Sequence, residues 1–477
     1  MNRIPIATLI LCLSIATAAR AQETSRVFFD LNYDTQESIA PVTVKTGCMI
    51  PLSAKTFPVR EGFRFGGWYT APECLPDQEW RFGDNASFFV AATDSMKVEK
   101  SMILFAKWVS PQPIRTAQDL DDVRKDLHGW YVLEEDLDLS GISNWIPIGE
   151  YEGNYEFAPG EWWRHAFKGV LDGQGHTIRG LRITELVTDK SGLFGTVANG
   201  EILNLNMEDS QLVFSAERPY VAPLAGILKQ DDGQICAVRN CRITGTLIRV
   251  KTTNDAPTFH SFTGLAGGAW GGTLENDFVS GTMDVEMAGS GGGELYMGPF
   301  LGEAYNDTRS CSSDYDNRVR FSVPQPENGF KAFIGGLQGS ATYVDGCTAR
   351  GRLRVEGESG GKQLFIGGLI GSERYGTVSG SASSIKMEVR RMESVQVGGV
   401  VGEFNEGYGT IGAAFGVRTT VVKDCSYTGK PKFRQVAAPV FGPISGAGDP
   451  KPLASPWGLS MDYKIENCTY NKKIASK

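Results

Sequence analysis

The sequence predicts an all-β protein: a small strand-rich module, then a right-handed parallel β-helix with one short helix capping the N-terminal end of the solenoid. Three observations lead there. Glycine supplies 58 of 477 residues, about 12% against the roughly 7% usual, with no Gly-X-Y period. A short apolar block closing on glycine recurs as SGLFG, APLAG, TGLAG, GPFLG, IGGLQG, IGGLIG, VGGVVG and APVFG, ending at Gly195, Gly226, Gly267, Gly302, Gly339, Gly371, Gly402 and Gly442. The blocks are 31, 41, 35, 37, 32, 31 and 40 residues apart, the self-similarity expected of a solenoid. Helix signals are scarce, the clearest being Thr116 to Asp119, a capping box that predicts a helix running to about Leu127.

The elements follow in chain order. Residues 1–21 place Arg3 before the apolar run Ile6–Ala19 and finish in Ala19-Arg20-Ala21, the small-x-small pattern of a cleaved signal peptide. Cleavage after Ala21 removes two arginines and takes the net charge from −8 to −10. Cys12 sits inside the apolar run after Leu11, a poor lipoprotein signal. No later stretch approaches the length of a membrane span. The expected location is therefore secreted or on the cell envelope. The acidic balance lacks the basic footprint of a nucleic-acid binder.

Residues 22–110 read as a strand-rich module. RVFFDLNY and KSMILFAKW alternate apolar and polar residues, and between them Gly47, Pro51, Pro58, Gly62 and Gly66-Gly67 supply turns. Cys48 and Cys74 could be bridged in an oxidising compartment. Phe29-Asp30, Gly47, Pro51, Pro58, Arg60 to Phe63, Phe65, Gly67-Trp68-Tyr69, Trp80 and Leu104 to Trp108 together resemble the Listeria–Bacteroides repeat of internalin B type. That resemblance implies a β-grasp-like module of a bacterial surface protein. The aromatic residues Trp68, Tyr69, Trp80 and Trp108 are expected to form its core.

Residues 111–477 carry the repeats. Most blocks precede a polar turn and a second strand, as in VRNCRITGTLIRV, VDGCTARGRLRV, VKDCSYTGK and IENCTYNKK. One such unit cannot bury its apolar face alone, whereas stacked coils give each strand a partner above and below. The period is too short for Kelch blades and the WD40 signature is missing. Cys241, Cys347, Cys425 and Cys468, with Cys311 a looser match, recur after an Asn, Asp or Gly, as small inward residues would. The blocks, with YVLEEDLDLSG, NWIPIG and FKGVLDGQGHTIRGLRI upstream, resemble the GLUG-motif repeats of secreted bacterial proteins. That group includes adhesin-like proteins and the non-catalytic part of some immunoglobulin A peptidases, so the resemblance implies a binding role.

No catalytic set emerges. There is no CxxC or HExxH, and only four histidines, so no metal or cofactor is expected. GSGGGE at 289–294 lacks the lysine of a phosphate loop. Asp172 and His176 fit a tight turn, and Asp231-Asp232 and Asp314/Asp316 read as polar turns between strands. Trp145, Tyr155, Trp162 and Trp163 cluster around the loop GEYEGNYEFAPGEWWRH, where aromatic rings could stack on sugars. The functional expectation is a non-catalytic, adhesin-like protein that binds an extracellular glycan or a host or matrix protein. Alternatives are a polysaccharide lyase or hydrolase, favoured if acids from neighbouring coils converge in one groove, and a structural spacer.

Overall fold

A computed structural model describes residues 23–51, 54, 56–80, 82, 96–149, 165–217, 219–230, 235–325, 329–357, 363–404, 419–446, 453–454, 460–471 and 473–474. Residues 1–21, and with them the expected signal segment, lie outside the described residues, as do Tyr155, Trp162, Trp163 and Asp231-Asp232. Two compact units divide the chain, one comprising 1–58 and 67–107, the other 59–66 and 108–477.

The first unit is built on a four-stranded mixed sheet. Thr24–Asp30 pairs antiparallel with Ile39–Lys45 and parallel with Met102–Val109, and Arg64–Tyr69 lies on the far side of that last strand. Central parallel first and last strands give the β-grasp-like arrangement. Alternation puts Val27, Phe29, Leu104 and Ala106 inside. Trp68 packs edge-on to Phe29 at 4.8 Å and donates from Nε1 to the Thr56 carbonyl at 3.0 Å. Cys48 and Cys74 are not joined. Cys48 is exposed on the short strand Cys48–Met49, whereas Cys74 is buried with its Sγ turned to the carbonyls of Ala71, Pro72 and Ala106.

The second unit is a parallel β-helix. Three long sheets run along it, two of 15 strands and one of eight. The first includes Leu301–Arg309, Gln338–Asp345 and Ile370–Ser379; the second Phe278–Met287, Ser312–Phe321 and Thr348–Gly357; the third Gly293–Gly298, Phe330–Gly335 and Leu364–Gly367. At the N-terminal end, Thr116 Oγ1 accepts from the Asp119 amide and Asp119 Oδ2 accepts from the Thr116 amide, opening a helix over Ala117–Asp122. A 3₁₀ turn over Val123–Lys125 continues it. Leu120 and Val123 are buried in the solenoid core beside Ile114 and Leu133, so the helix covers the first coil.

Register turns the repeated sequence into columns. Phe194, Ala225, Ala266, Leu301, Gln338, Ile370 and Val401 pair in series. The glycine after each of them packs onto the backbone of the preceding coil: a Cβ on Gly302 would lie 2.8 Å from the Gly267 carbonyl, and one on Gly371 would lie 2.6 Å from that of Gly339. Only a residue without a side chain fits this corner. The column ends on Gly446, not Gly442. Ala438–Gly442 pairs with Ser394–Gly398, so the last block is FGPISG, with Pro443 in the place of Gly399. Pro223 and Pro299 hold the same place in earlier coils, where only the carbonyl is used, accepting from Leu193 and Gly264.

At the opposite corner, Asn204, Asn240, Asn276, Ser310, Gly346, Gly380, Asp424 and Asn467 all adopt positive φ. Asn, Asp and Gly tolerate that conformation best. Asn240 Nδ2 donates to Asn204 Oδ1 at 3.1 Å, extending the column as a side-chain ladder. The next residue points inward: Cys241, Asp277, Cys311, Cys347, Ser381, Cys425 and Cys468 are all buried, which places Cys311 in full register with the other cysteines.

Candidate ligand-binding surfaces

Of the expected aromatic cluster, the described residues include Trp145 alone, and it is not presented to solvent. Its ring is 2% exposed within the core, Nε1 donates to the Leu193 carbonyl at 3.0 Å, and the Arg124 guanidinium lies 5.4 Å from its centroid. A ring enclosed on both faces cannot stack on a sugar, so Trp145 is corrected to a core residue. The Asp172 turn is satisfied locally, Oδ1 accepting from the Gln174 amide and Asn204 Nδ2. His176 instead faces Asp136, 3.4 Å from Nδ1 to Oδ1. Asp314 and Asp316 are not in turns. They alternate outward along Ser312–Phe321 on the second sheet.

Two acids of a single coil, Glu294 and Glu303 on the consecutive strands Gly293–Gly298 and Leu301–Arg309, are linked through side chains of other coils at the corner between the third and first sheets. Arg374, 1% exposed, sets Nη1 and Nη2 at 3.3 and 3.2 Å from Glu303 Oε1. Glu303 Oε2 accepts from the Tyr220 hydroxyl at 3.3 Å. Arg374 Nη2 also donates to the Tyr296 hydroxyl at 3.0 Å, and that hydroxyl donates to Glu294 Oε2. The Arg374 guanidinium lies 4.2 Å from the Tyr305 ring centroid. Burial pushes the Tyr220 and Tyr296 phenols well above their ordinary pKa, so both stay protonated and can donate. Both carboxylates are thus engaged by side chains of the cluster. The sequence carried no signal of it, since the bonds that bring Tyr220 and Arg374 to Glu303 and Arg374 to Tyr296 span 83, 71 and 78 residues.

Two shallow depressions open on the outer walls. One, of about 390 Å³, lies on the first sheet, with Asp307, Arg309, Tyr343, Asp345, Thr377 and Ser379 in its lining. Arg309 is tied to Asp307 at 2.7 Å and Ser379 to Asp345 at 2.5 Å, while Tyr343 is 41% exposed. The other, of about 300 Å³, lies on the second sheet. Gly281 and Gly351 leave its floor open, and Thr282, Asp314, Asp316, Arg352 and Lys386 stand around it. Gly351 has φ +103°, and a Cβ there would lie 2.1 Å from the Tyr315 carbonyl.

The second-sheet wall beside this depression is laced with charge. Glu388 accepts from Arg390 at 2.8 Å and Arg434 at 3.0 Å and lies 3.9 Å from Arg354, and Glu356 is paired with Arg318. Hydrogen bonding from Arg390 holds the Glu388 carboxyl below its ordinary pKa. Burial alone would raise that of Glu356, but the bonds from Arg318 outweigh it and the value falls. Arg350, Arg352, Lys386 and Lys432 form no ion pair among the described residues. Among those residues, no group of three or more His, Cys, Asp and Glu is placed to hold a metal ion, and no helix is long and apolar enough to cross a membrane.

No family model matches the chain, and no curated protein matches it. A search of solved structures finds a protein described as a "putative immunoglobulin A1 protease" from Bacteroides ovatus, at 15% identity and a TM-score of 0.40, covering 75% of this chain and 84% of that one.

Proposed function

We propose that the chain is a secreted or envelope-held bacterial binding protein, adhesin-like, recognising a glycan or a host or matrix protein through its β-helix surface. The observation that carries this reading is the outer wall itself. Successive coils stack their outward side chains a strand spacing of roughly 4.8 Å apart, with register shifts such as that between Ala341 and Tyr343 on the first sheet. The wall is hollowed into open depressions, one edged by exposed Tyr343 and the other by Arg352 and Lys386, cations without an ion pair among the described residues. Open, polar, repeating surfaces suit extended ligands. The signal-peptide pattern and the two family resemblances supply the location.

A lyase or hydrolase would draw on the acids that meet at the sheet corner. Glu294 and Glu303 are bound by Tyr296, Tyr220 and Arg374, and the guanidinium is almost wholly buried. That bonding favours a structural strut over a catalytic pair.

The test is a glycan and matrix-protein array with the mature protein, beside Tyr343→Ala and Trp162→Ala/Trp163→Ala variants. Specific binding lost in the first variant places the site on the first-sheet wall, and binding lost in the second places it at the aromatic loop. An array with no specific binding overturns the reading and leaves the spacer.

A further inference from the structure

We infer that the second-sheet wall around Arg352 and Lys386 is a binding site for a linear acidic glycan, one carrying carboxylate or sulfate groups. The inference rests on the binding reading above and names its ligand class. The protein as a whole is acidic, at −8, yet this wall has the opposite sign. On three consecutive strands, Thr348–Gly357, Lys386–Arg390 and Lys432–Arg434, the outward positions hold seven arginines and lysines against two glutamates.

The two glutamates are already spent. Glu356 and Glu388 hold Arg318, Arg354, Arg390 and Arg434 in an ion-pair lattice that fixes those side chains. Arg350, Arg352, Lys386 and Lys432 are left without an ion pair among the described residues, with Asp314 and Asp316 standing opposite Arg350 and Arg352 on the preceding strand. Arg352 and Lys386 are register partners, and Lys432 is partnered with Glu388, two residues beyond Lys386 in the same strand. These cations therefore climb the solenoid coil by coil, straight across from Arg352 to Lys386 at roughly 4.8 Å and on a diagonal of roughly 7–8 Å from Lys386 to Lys432. Gly281 and Gly351 hollow the wall beside the first step, giving the depression of about 300 Å³ into which a sugar ring can settle while its anionic group meets the Arg352 fork. Asp314 and Asp316 bound the depression on the preceding strand. An anion is repelled there and drawn the other way, so the bound chain runs from Arg352 toward Lys432.

A nucleic acid is also a polyanion, but single strands are gripped by aromatic platforms that stack on bases. No aromatic ring stands among the outward residues of Thr348–Gly357 or Lys386–Arg390, and Phe433 packs against the core. Charge without stacking fits a glycan.

The test uses the mature chain and four immobilised probes: heparin, which carries sulfate and carboxylate; polygalacturonate, which carries carboxylate alone; single-stranded DNA; and neutral dextran. Saturable binding to heparin or polygalacturonate is expected, falling steeply as salt rises from about 50 to 200 mM. Arg352→Ala/Lys386→Ala should weaken it by about tenfold, the loss of two charge-assisted contacts on an exposed wall, with an unchanged melting midpoint. Lys432→Glu should weaken it independently. Binding to both polymers assigns carboxylate recognition, and binding to heparin alone assigns sulfate. The inference is overturned if neither acidic polymer binds, if both variants bind as the parent does, or if single-stranded DNA binds as tightly. Failure here with a neutral glycan or matrix protein bound on the array leaves the broader binding reading standing, and failure on both removes both.

Discussion

Arg374 reaches back along the solenoid axis to Glu303, two coils earlier, with 3.2 Å between Nη2 and Oε1. On the intervening coil the buried Ser340 Oγ accepts from the Ala304 amide at 3.0 Å. Below Glu303, Gly268 leaves room for the Tyr220 ring, 3.5 Å from where a Cβ would stand. Tyr220, Glu303 and Arg374 thus form a polar strut lying lengthwise across five coils, fastening layers that are otherwise joined by strand hydrogen bonds.

Removing one end of a buried pair strands the other charge. Arg374→Ala is therefore expected to lower stability by about 3–5 kcal/mol, read as a drop in the denaturation midpoint. Arg374→Met/Glu303→Gln should recover at least half of the loss. Equal midpoints for the single and double variants would show that the two side chains are not coupled.

The coil type was legible because it rests on local chemistry repeated many times. Thr116 and Asp119 announce a helix start, and the recurring glycine announces a corner, wherever they occur. The strut was not legible. Coil lengths vary, so residues such as Tyr220, Glu303 and Arg374 cannot be brought into register by counting. The same variation hid the last coil, where Pro443 stands in the place of a block glycine and APVFG imitates the pattern four residues early. The burial of Trp145 is hidden in the sequence for a different reason. A tryptophan before an irregular loop has the same sequence surroundings whether it faces solvent or the core, and only its bond to the Leu193 carbonyl decides.

The glycine column should be intolerant of even one methyl group. At Gly371 a Cβ would lie 2.4 Å from the Ile334 amide nitrogen and 2.6 Å from the Gly339 carbonyl, both backbone atoms of neighbouring strands that cannot turn aside. Gly371→Ala should cost about 1–3 kcal/mol or more through overpacking. At Gly141 nothing lies within 4 Å of the added carbon, so Gly141→Ala should stay within about 0.5 kcal/mol of the parent. Thermal melts of both variants check the contrast, and similar midpoints would refute the close-packed corner.

Trp145 separates packing from recognition. Trp145→Ala removes a buried ring and its hydrogen bond and should cost about 3–5 kcal/mol, while at a temperature where the variant stays folded its ligand affinity should match the parent. Reduced affinity with an unchanged melting midpoint would return Trp145 to the binding surface.

Glu373 makes stability depend on pH in an unusual direction. Its side chain occupies an inward column whose register partner is Phe404, and neither carboxylate oxygen has a hydrogen-bond partner among the described residues. Burial raises its pKa well above the ordinary 4.5. The unfolded chain releases this proton near pH 4.5 while the folded chain keeps it, so above that pH the native state holds more protons than the unfolded one. Stability from this group is therefore full below about pH 4.5 and declines as pH rises toward the folded pKa. Asp277, buried at the cysteine column with its pKa likewise raised by burial, acts with the same sign, so the comparison must be with a variant. Glu373→Met keeps the volume and removes the titration. Denaturation midpoints of the two proteins measured from pH 4 to pH 8 should draw apart as pH increases, the methionine variant becoming the more stable by about 1.4 kcal/mol for each pH unit until the native carboxyl ionises. Parallel curves would mean that the Glu373 carboxylate finds a compensating partner in the folded state.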